Sequence, residues 1–181
     1  MRRSMIVGFA AGLAAAFVLA SPREAHAGFF LGAEFDAASA IDQPGASIGY
    51  GFVGAAGYRI SLGPVFVQPE AQGSHMVFPA SDGVGEAPHA TRVMGGARLG
   101  LARMVQPQLF GHAGVGWVGD GINGRAFDAG FALGFKLIPF FRFGAQVAYN
   151  VVTIQNDPRT LTLTSTSLKW ISYGAHAAIE F

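Results

Sequence analysis

The residues of this chain best suited to chemistry are few. Ser74-His75 stands a short way before Asp82 and Glu86, so a hydroxyl, an imidazole and two carboxylates share one stretch. A serine becomes a nucleophile when an imidazole takes its proton and a carboxylate orients the ring. These four lie too near in sequence to imply a triad, and no G-x-S-x-G elbow surrounds the serine. A hydrolase is therefore the minor reading. His112 and His176 could hold a metal or pass protons. They fall on segments that are not neighbours and no third ligand is obvious, so a hydrogen-bonded structural role is expected, with no metal and no cofactor. The largest ionisable set is five acids, Glu34, Asp36, Glu70, Asp128 and Glu180, and five bases, Arg59, Arg92, Arg98, Lys136 and Arg142. Shut into a narrow space, such charges must pair. They would make either a gated ion path or a polar plug, and the plug is the favoured reading.

The elements that position these residues follow from a period of two. From Phe127 to Leu137 every second residue is apolar: Phe127, Ala129, Phe131, Leu133, Phe135, Leu137. After Ile138-Pro139 the pattern resumes as Phe141, Phe143, Ala145, Val147, Tyr149 and Val151. The alternate positions are small or charged. Two such runs joined by a tight turn predict a β-hairpin. The same rule predicts strands over 29–37, 47–60, 65–75, 91–103, 108–118 and 170–181, eight in all. The ten charges and both histidines fall on the small or charged face of every strand. Pro69 cannot donate a ladder hydrogen bond and predicts a bulge in the third strand. Tight turns are expected after strands two, four and six, at 61–64, 104–107 and 138–139. Longer connections are expected after strands one, three, five and seven. The Thr/Ser-rich run 161–167 is either a solvated loop or a hairpin that carries the last strand beyond the barrel wall.

Composition narrows the setting. Only 13% of residues are charged, where about a quarter is usual for a soluble domain. A net charge of +1 leaves no footprint for nucleic acid. There is no cysteine, hence no disulfide, thiolate metal site or thiol nucleophile. Met1-Arg2-Arg3, the apolar run 5–20 and Ala25-His26-Ala27 read as a secretory signal peptide over 1–27, with the mature domain at 28–181. Beyond Ala27 no apolar run is long enough for a membrane helix. An exported, apolar-rich chain without a spanning helix points to a closed, antiparallel, up-and-down barrel that crosses a membrane with its strands. Aromatics at the strand ends predict two girdles: Phe29, Tyr58, Phe141 and Phe181 at one end, and Tyr50, Trp117, Phe127, Tyr149 and Tyr173 at the other. A soluble barrel of lipocalin type, with the faces inverted, is the alternative.

With this pattern the sequence resembles the small eight-stranded bacterial outer-membrane barrels of the OmpA, OmpX and opacity type. The resemblance covers the whole of 28–181. It is carried most specifically by the terminal phenylalanine and the alternation before it, Tyr173, Ile179 and Phe181. The resemblance implies that these three are read by the barrel-assembly machinery. It also implies an outer-membrane location among lipid and lipopolysaccharide, with both mature termini in the periplasm and no peptidoglycan-binding domain after the barrel. The implied role is structural, in envelope integrity or surface contact through external loops 38–46, 76–90 and 155–167. The lumen would be polar-filled, and no catalysis is expected. The alternatives are a lipid A or phospholipid-modifying enzyme, by acyl transfer or deacylation, and a porin-like narrow channel for small solutes.

Overall fold

The computed structural model describes residues 26–41, 48–79, 89–119, 122–154 and 167–181. They form eight strands: β1 (His26–Ile41), β2 (Gly49–Leu62), β3 (Val65–Val77), β4 (His89–Leu101), β5 (Val105–Val118), β6 (Ile122–Ile138), β7 (Phe141–Ile154) and β8 (Ser167–Glu180). Each pairs antiparallel with its neighbour in sequence, and β1 pairs with β8, so the sheet closes on itself. The seam runs from Phe30–Glu180 to Ile41–Lys169, and the amide of Phe181 donates to the carbonyl of Phe29 at 2.8 Å.

Closure leaves one choice, which face turns inward. Glu34, Asp36, Arg59, Glu70, Arg92, Arg98, Asp128 and Arg142 are all buried in the barrel. The large apolar residues of the opposite phase stand outside: Phe52 is 64% exposed, Leu109 63% and Phe35 51%. In water each such side chain would forgo roughly 1.5–3 kcal/mol of burial. In hydrocarbon it forgoes nothing, so this wall is a transmembrane one. The inverted, lipocalin-like arrangement is excluded. The expected aromatic ends also face outward, and Phe29 meets Tyr58 across β1 and β2 edge to face at 5.6 Å. Strands of 13 to 17 residues exceed the roughly 9–11 needed to cross a bilayer. Part of the wall therefore stands clear of the hydrocarbon.

Several boundaries differ from those expected. The turn after β2 is confined to Gly63-Pro64, where Gly63 adopts a φ of 69°, the left-handed region that favours glycine. β4 stops at Leu101 and β5 starts at Val105, so Gln106 and Pro107 belong to the wall rather than to a turn. The 76–90 loop is shorter than expected, because Met76 and Val77 extend β3 while His89 and Ala90 open β4. The connection between β5 and β6 is only 119–121, since Ile122, Asn123 and Gly124 pair with Val118, Trp117 and Gly116. Glycine-rich composition there had suggested a longer loop; the ladder overrides it. Pro69 makes no bulge. The β2–β3 ladder skips Tyr58 and Arg59 but resumes in the same register, Gly57 with Glu70 and Ile60 with Val67. A missing donor is tolerated as a local gap. The register shift lies instead between Phe135 and Ile138, beside the β6–β7 turn. The signal-peptide reading and the 161–166 part of the proposed protruding hairpin lie outside the described residues. β1 begins at His26, two residues ahead of the expected mature start.

The outward face makes a direct prediction. Phe131 sits mid-strand, between Leu109 and Val147. Phe131→Arg should cost about 2–4 kcal/mol in urea unfolding from vesicles. Tyr58→Arg, near the end of β2, should cost about 1 kcal/mol or less.

Candidate functional site

Among the described residues polar chemistry is concentrated in the interior, and it is layered. We call the end with turns 63–64, 102–104 and 139–140 the turn end, and the opposite one the loop end. Nearest the turn end, Arg59 Nη1 donates to Gln106 Oε1 at 3.0 Å and to Glu180 Oε1 at 3.2 Å. Its guanidinium lies 3.5 Å above the centre of the Phe66 ring. Glu180 also pairs with Lys136 and, at 3.4 Å, with Arg142. One carboxylate thus gathers three cations.

The middle layer is tighter. Arg98 donates through Nε and Nη2 to Glu70 Oε1, at 3.2 and 3.1 Å, and through Nη2 to Glu34 Oε1 at 3.3 Å. Gln146 and Gln68 hold the remaining oxygens of Glu34 and Glu70 at 2.6 and 2.5 Å. His112 is clasped on both sides, Nε2 to Glu70 at 2.8 Å and Nδ1 to Asp128 at 2.6 Å. That bridge depends on Gly96, which lies on β4 between Glu70 on β3 and His112 on β5. A Cβ on Gly96 would come within 2.7 Å of His112 Cα. Gln72 then ties Asp128 Oδ2 at 2.8 Å, and Arg92 reaches Asp128 at 3.9 Å, Ser74 at 2.9 Å and Asn150 at 2.7 Å.

Above Arg92 the polar chemistry ends. Met76, Phe78, Met94, Val152, Leu168 and Trp170 form an apolar layer with four alanines, Ala38, Ala90 and Ala126 buried within it and Ala40 packed against it. Phe78 meets Trp170 edge to face at 5.7 Å, and the Arg92 guanidinium packs 4.8 Å from the Trp170 ring. The lumen is therefore filled by charge in its lower and middle parts and stoppered by hydrocarbon at the loop end. Beside His176, Glu34, Arg98 and Arg142 a void of about 10 Å³ is left, room for one water.

All twelve expected lumen residues lie inward, and the expected pairs Glu70–Arg98 and Arg142–Glu180 both form. The pairing is not one to one. Glu180 serves three bases, Arg98 serves two acids, and Asp36 Oδ1 has no partner among the described residues. His176 departs from expectation, because neither ring nitrogen finds a hydrogen bond. It occupies the space left by Gly144 opposite it on β7. Nothing links the two histidines, and no group of three or more metal-binding side chains converges among the described residues. Ser74 and His75 point to opposite faces: Ser74 inward to Arg92, His75 outward to Thr91. The local nucleophile–base pair is thus absent; Asp82 and Glu86 lie outside the described residues. The network members missing from the expected lumen set are the neutral ones: Gln68, Gln72, Ser74, Gln106, Gln146, Asn150 and Ser172. Period two already placed Gln68, Gln72, Gln146, Asn150 and Ser172 on the inward phase, and Gln106 was hidden by its assignment to a turn.

No family model matches the sequence, and no curated protein matches it. Solved structures do. Neisserial surface protein A is 15% identical over 86% of this chain and 99% of its own, with a TM-score of 0.65. The fold is that of the small eight-stranded outer-membrane β-barrels. Two further structures with this outer-membrane barrel fold align over most of the chain. One is Ail, the attachment invasion locus protein of Yersinia pestis, 12% identical over 88% of this chain and 100% of its own, with a TM-score of 0.49. The other is the outer membrane protein AlkL, 13% identical over 89% and 93%, with a TM-score of 0.44.

The middle layer predicts an asymmetry. Arg98→Ala leaves Glu34 buried without its cation and Glu70 with His112 alone, and should cost about 3–5 kcal/mol in equilibrium unfolding from vesicles. Adding Glu34→Gln and Glu70→Gln to Arg98→Met should recover most of that loss, since the uncompensated charge is then gone.

Proposed function

We propose that this chain is an integral outer-membrane barrel whose role is structural or adhesive rather than catalytic or conductive. Its lumen acts as a cross-brace, and any recognition is left to the loops. The observation that carries this reading is the filled interior. Ion pairs occupy two successive layers and the apolar stopper of Phe78 and Trp170 closes the third. A solute path would need all three of these layers to open. The connections 42–48, 79–88 and 155–166 are the parts available for a surface partner, narrower than the expected 38–46, 76–90 and 155–167 because β1 runs on to Ile41 and Ala38, Met76, Phe78 and Ala90 are buried in the stopper, and lipopolysaccharide surrounds them. The barrel-assembly machinery would read Tyr173, Ile179 and Phe181, of which Phe181 is 73% exposed at the turn end. On this reading residues 1–27 are cleaved, and the turn end, where β1 begins and β8 ends, faces the periplasm.

Three measurements test it. Protein recovered from the outer-membrane fraction should begin at Gly28 by N-terminal sequencing. The purified barrel in a planar bilayer should give no unitary conductance. Its expression should leave the mass of lipid A unchanged. Discrete conductance steps that vanish in Glu70→Ala would turn the reading to a channel, and a new lipid A mass would turn it to an enzyme.

A further inference from the structure

The outer wall is mostly apolar or aromatic, and towards the loop end polar side chains interrupt it, Ser39, Arg125, Lys169 and two histidines among them. His75 on β3 lies opposite Thr91 on β4, and His89 on β4 lies opposite Val77 on β3. The histidines are therefore diagonal neighbours on one outward face, within reach of each other across the hairpin. Their rings stand 5.7 Å apart, tilted by 36°, so they converge without stacking. Their surroundings explain no other purpose. His75 is flanked on β2 by Phe52, and Thr91 on β5 by Trp117. No carboxylate among the described residues pairs with either ring, and neither belongs to the apolar clusters of the interior.

One further contact gives the pair a chemical direction. His75 Nδ1 is engaged by Thr91 Oγ1 at 2.9 Å, which leaves Nε2 as its free nitrogen. Metal-bound imidazoles are held in the same way, with the second ring nitrogen fixed by an oxygen partner. Two imidazoles bound at about 2.0–2.1 Å to one tetrahedral ion place their ring centres roughly 5–6 Å apart. The observed spacing falls in that range.

We propose that His75 and His89, braced by Thr91, form a two-histidine site on the outer wall for a late first-row divalent cation, of the Ni²⁺, Cu²⁺ or Zn²⁺ class. Two neutral imidazoles select these ions over Mg²⁺ and Ca²⁺, which prefer oxygen. The protein supplies two nitrogens only, because no third histidine, aspartate or glutamate joins them among the described residues. The remaining positions take oxygen donors from water or from lipid phosphate. The site sits near the loop end, level with Trp117, where an indole marks the headgroup zone.

The test uses the untagged mature barrel in a neutral, phosphate-free detergent, titrated with Cu²⁺ and read by electron paramagnetic resonance. The expected result is one equivalent bound with hyperfine structure from two nitrogens. His75→Gln and His89→Gln should each leave one nitrogen and weaken binding tenfold or more. Thr91→Val should keep both nitrogens and weaken binding by roughly 10–100-fold. Heat-modifiable gel mobility verifies that each variant is folded. Repeating the titration in vesicles with anionic phospholipid separates water from lipid phosphate as the source of the outer oxygens. Absence of binding by the wild type, or a spectrum unchanged in the His75→Gln, His89→Gln double variant, overturns the proposal.

Discussion

A strand in hydrocarbon has nowhere outside its own sheet to place its amide and carbonyl groups. Each group left unpaired there costs several kcal/mol, which is why only helices and closed barrels span membranes. The pairing of β1 with β8 answers that requirement. Once the cylinder is closed, the pleat assigns every other residue to lipid and the rest to a bore too narrow for anything but side chains. The outward grease and the inward charge are two consequences of one ring of backbone hydrogen bonds.

The interior then faces its own constraint. Ionic groups withdrawn from water are tolerable only if their hydrogen bonds are made within the bore. Here that is achieved by sharing rather than by simple pairing. Glu70 receives Arg98, His112 and Gln68, and Glu180 receives Arg59, Arg142 and Lys136. Inward glycines make the sharing possible. Gly96 lets His112 reach Glu70, and Gly174 leaves space for the Asp36 carboxylate opposite it. Above this network the chain changes strategy and fills the loop end with methionine and aromatic side chains, of which the Trp170 indole N–H alone calls for a partner and finds none among the described residues.

Much of this was legible in the sequence, because lipid imposes its period on every crossing. The inward phase of all eight strands, the order of pairing and two of the ion pairs follow from alternation alone. Less legible were the features in which composition and ladder disagree. Gly121, Ile122, Asn123 and Gly124 read as loop, yet the last three are paired in β6. Pro107 suggested a turn but sits in β5 opposite Leu133. Contacts across the bore were harder still. The bridge from His112 to Glu70 passes over an intervening strand, and sequence gives no measure of the tilt that brings those side chains level. The pairing of His75 with His89 needed a register that only the hairpin supplies.

The seam between β1 and β8 is built from the two extremities of the described chain, Phe30 facing Glu180 and Phe181 bonded to Phe29. The five internal hairpins within β2 to β7 can form as soon as their residues exist, but the cylinder cannot. Until the last strand arrives, the sheet is an open ribbon with two sticky margins and a row of bare arginines and glutamates. Closure of the barrel therefore waits on β8, the strand that completes the ring with β1. A chain shortened there would be a different kind of object, with a margin free to recruit any strand it met.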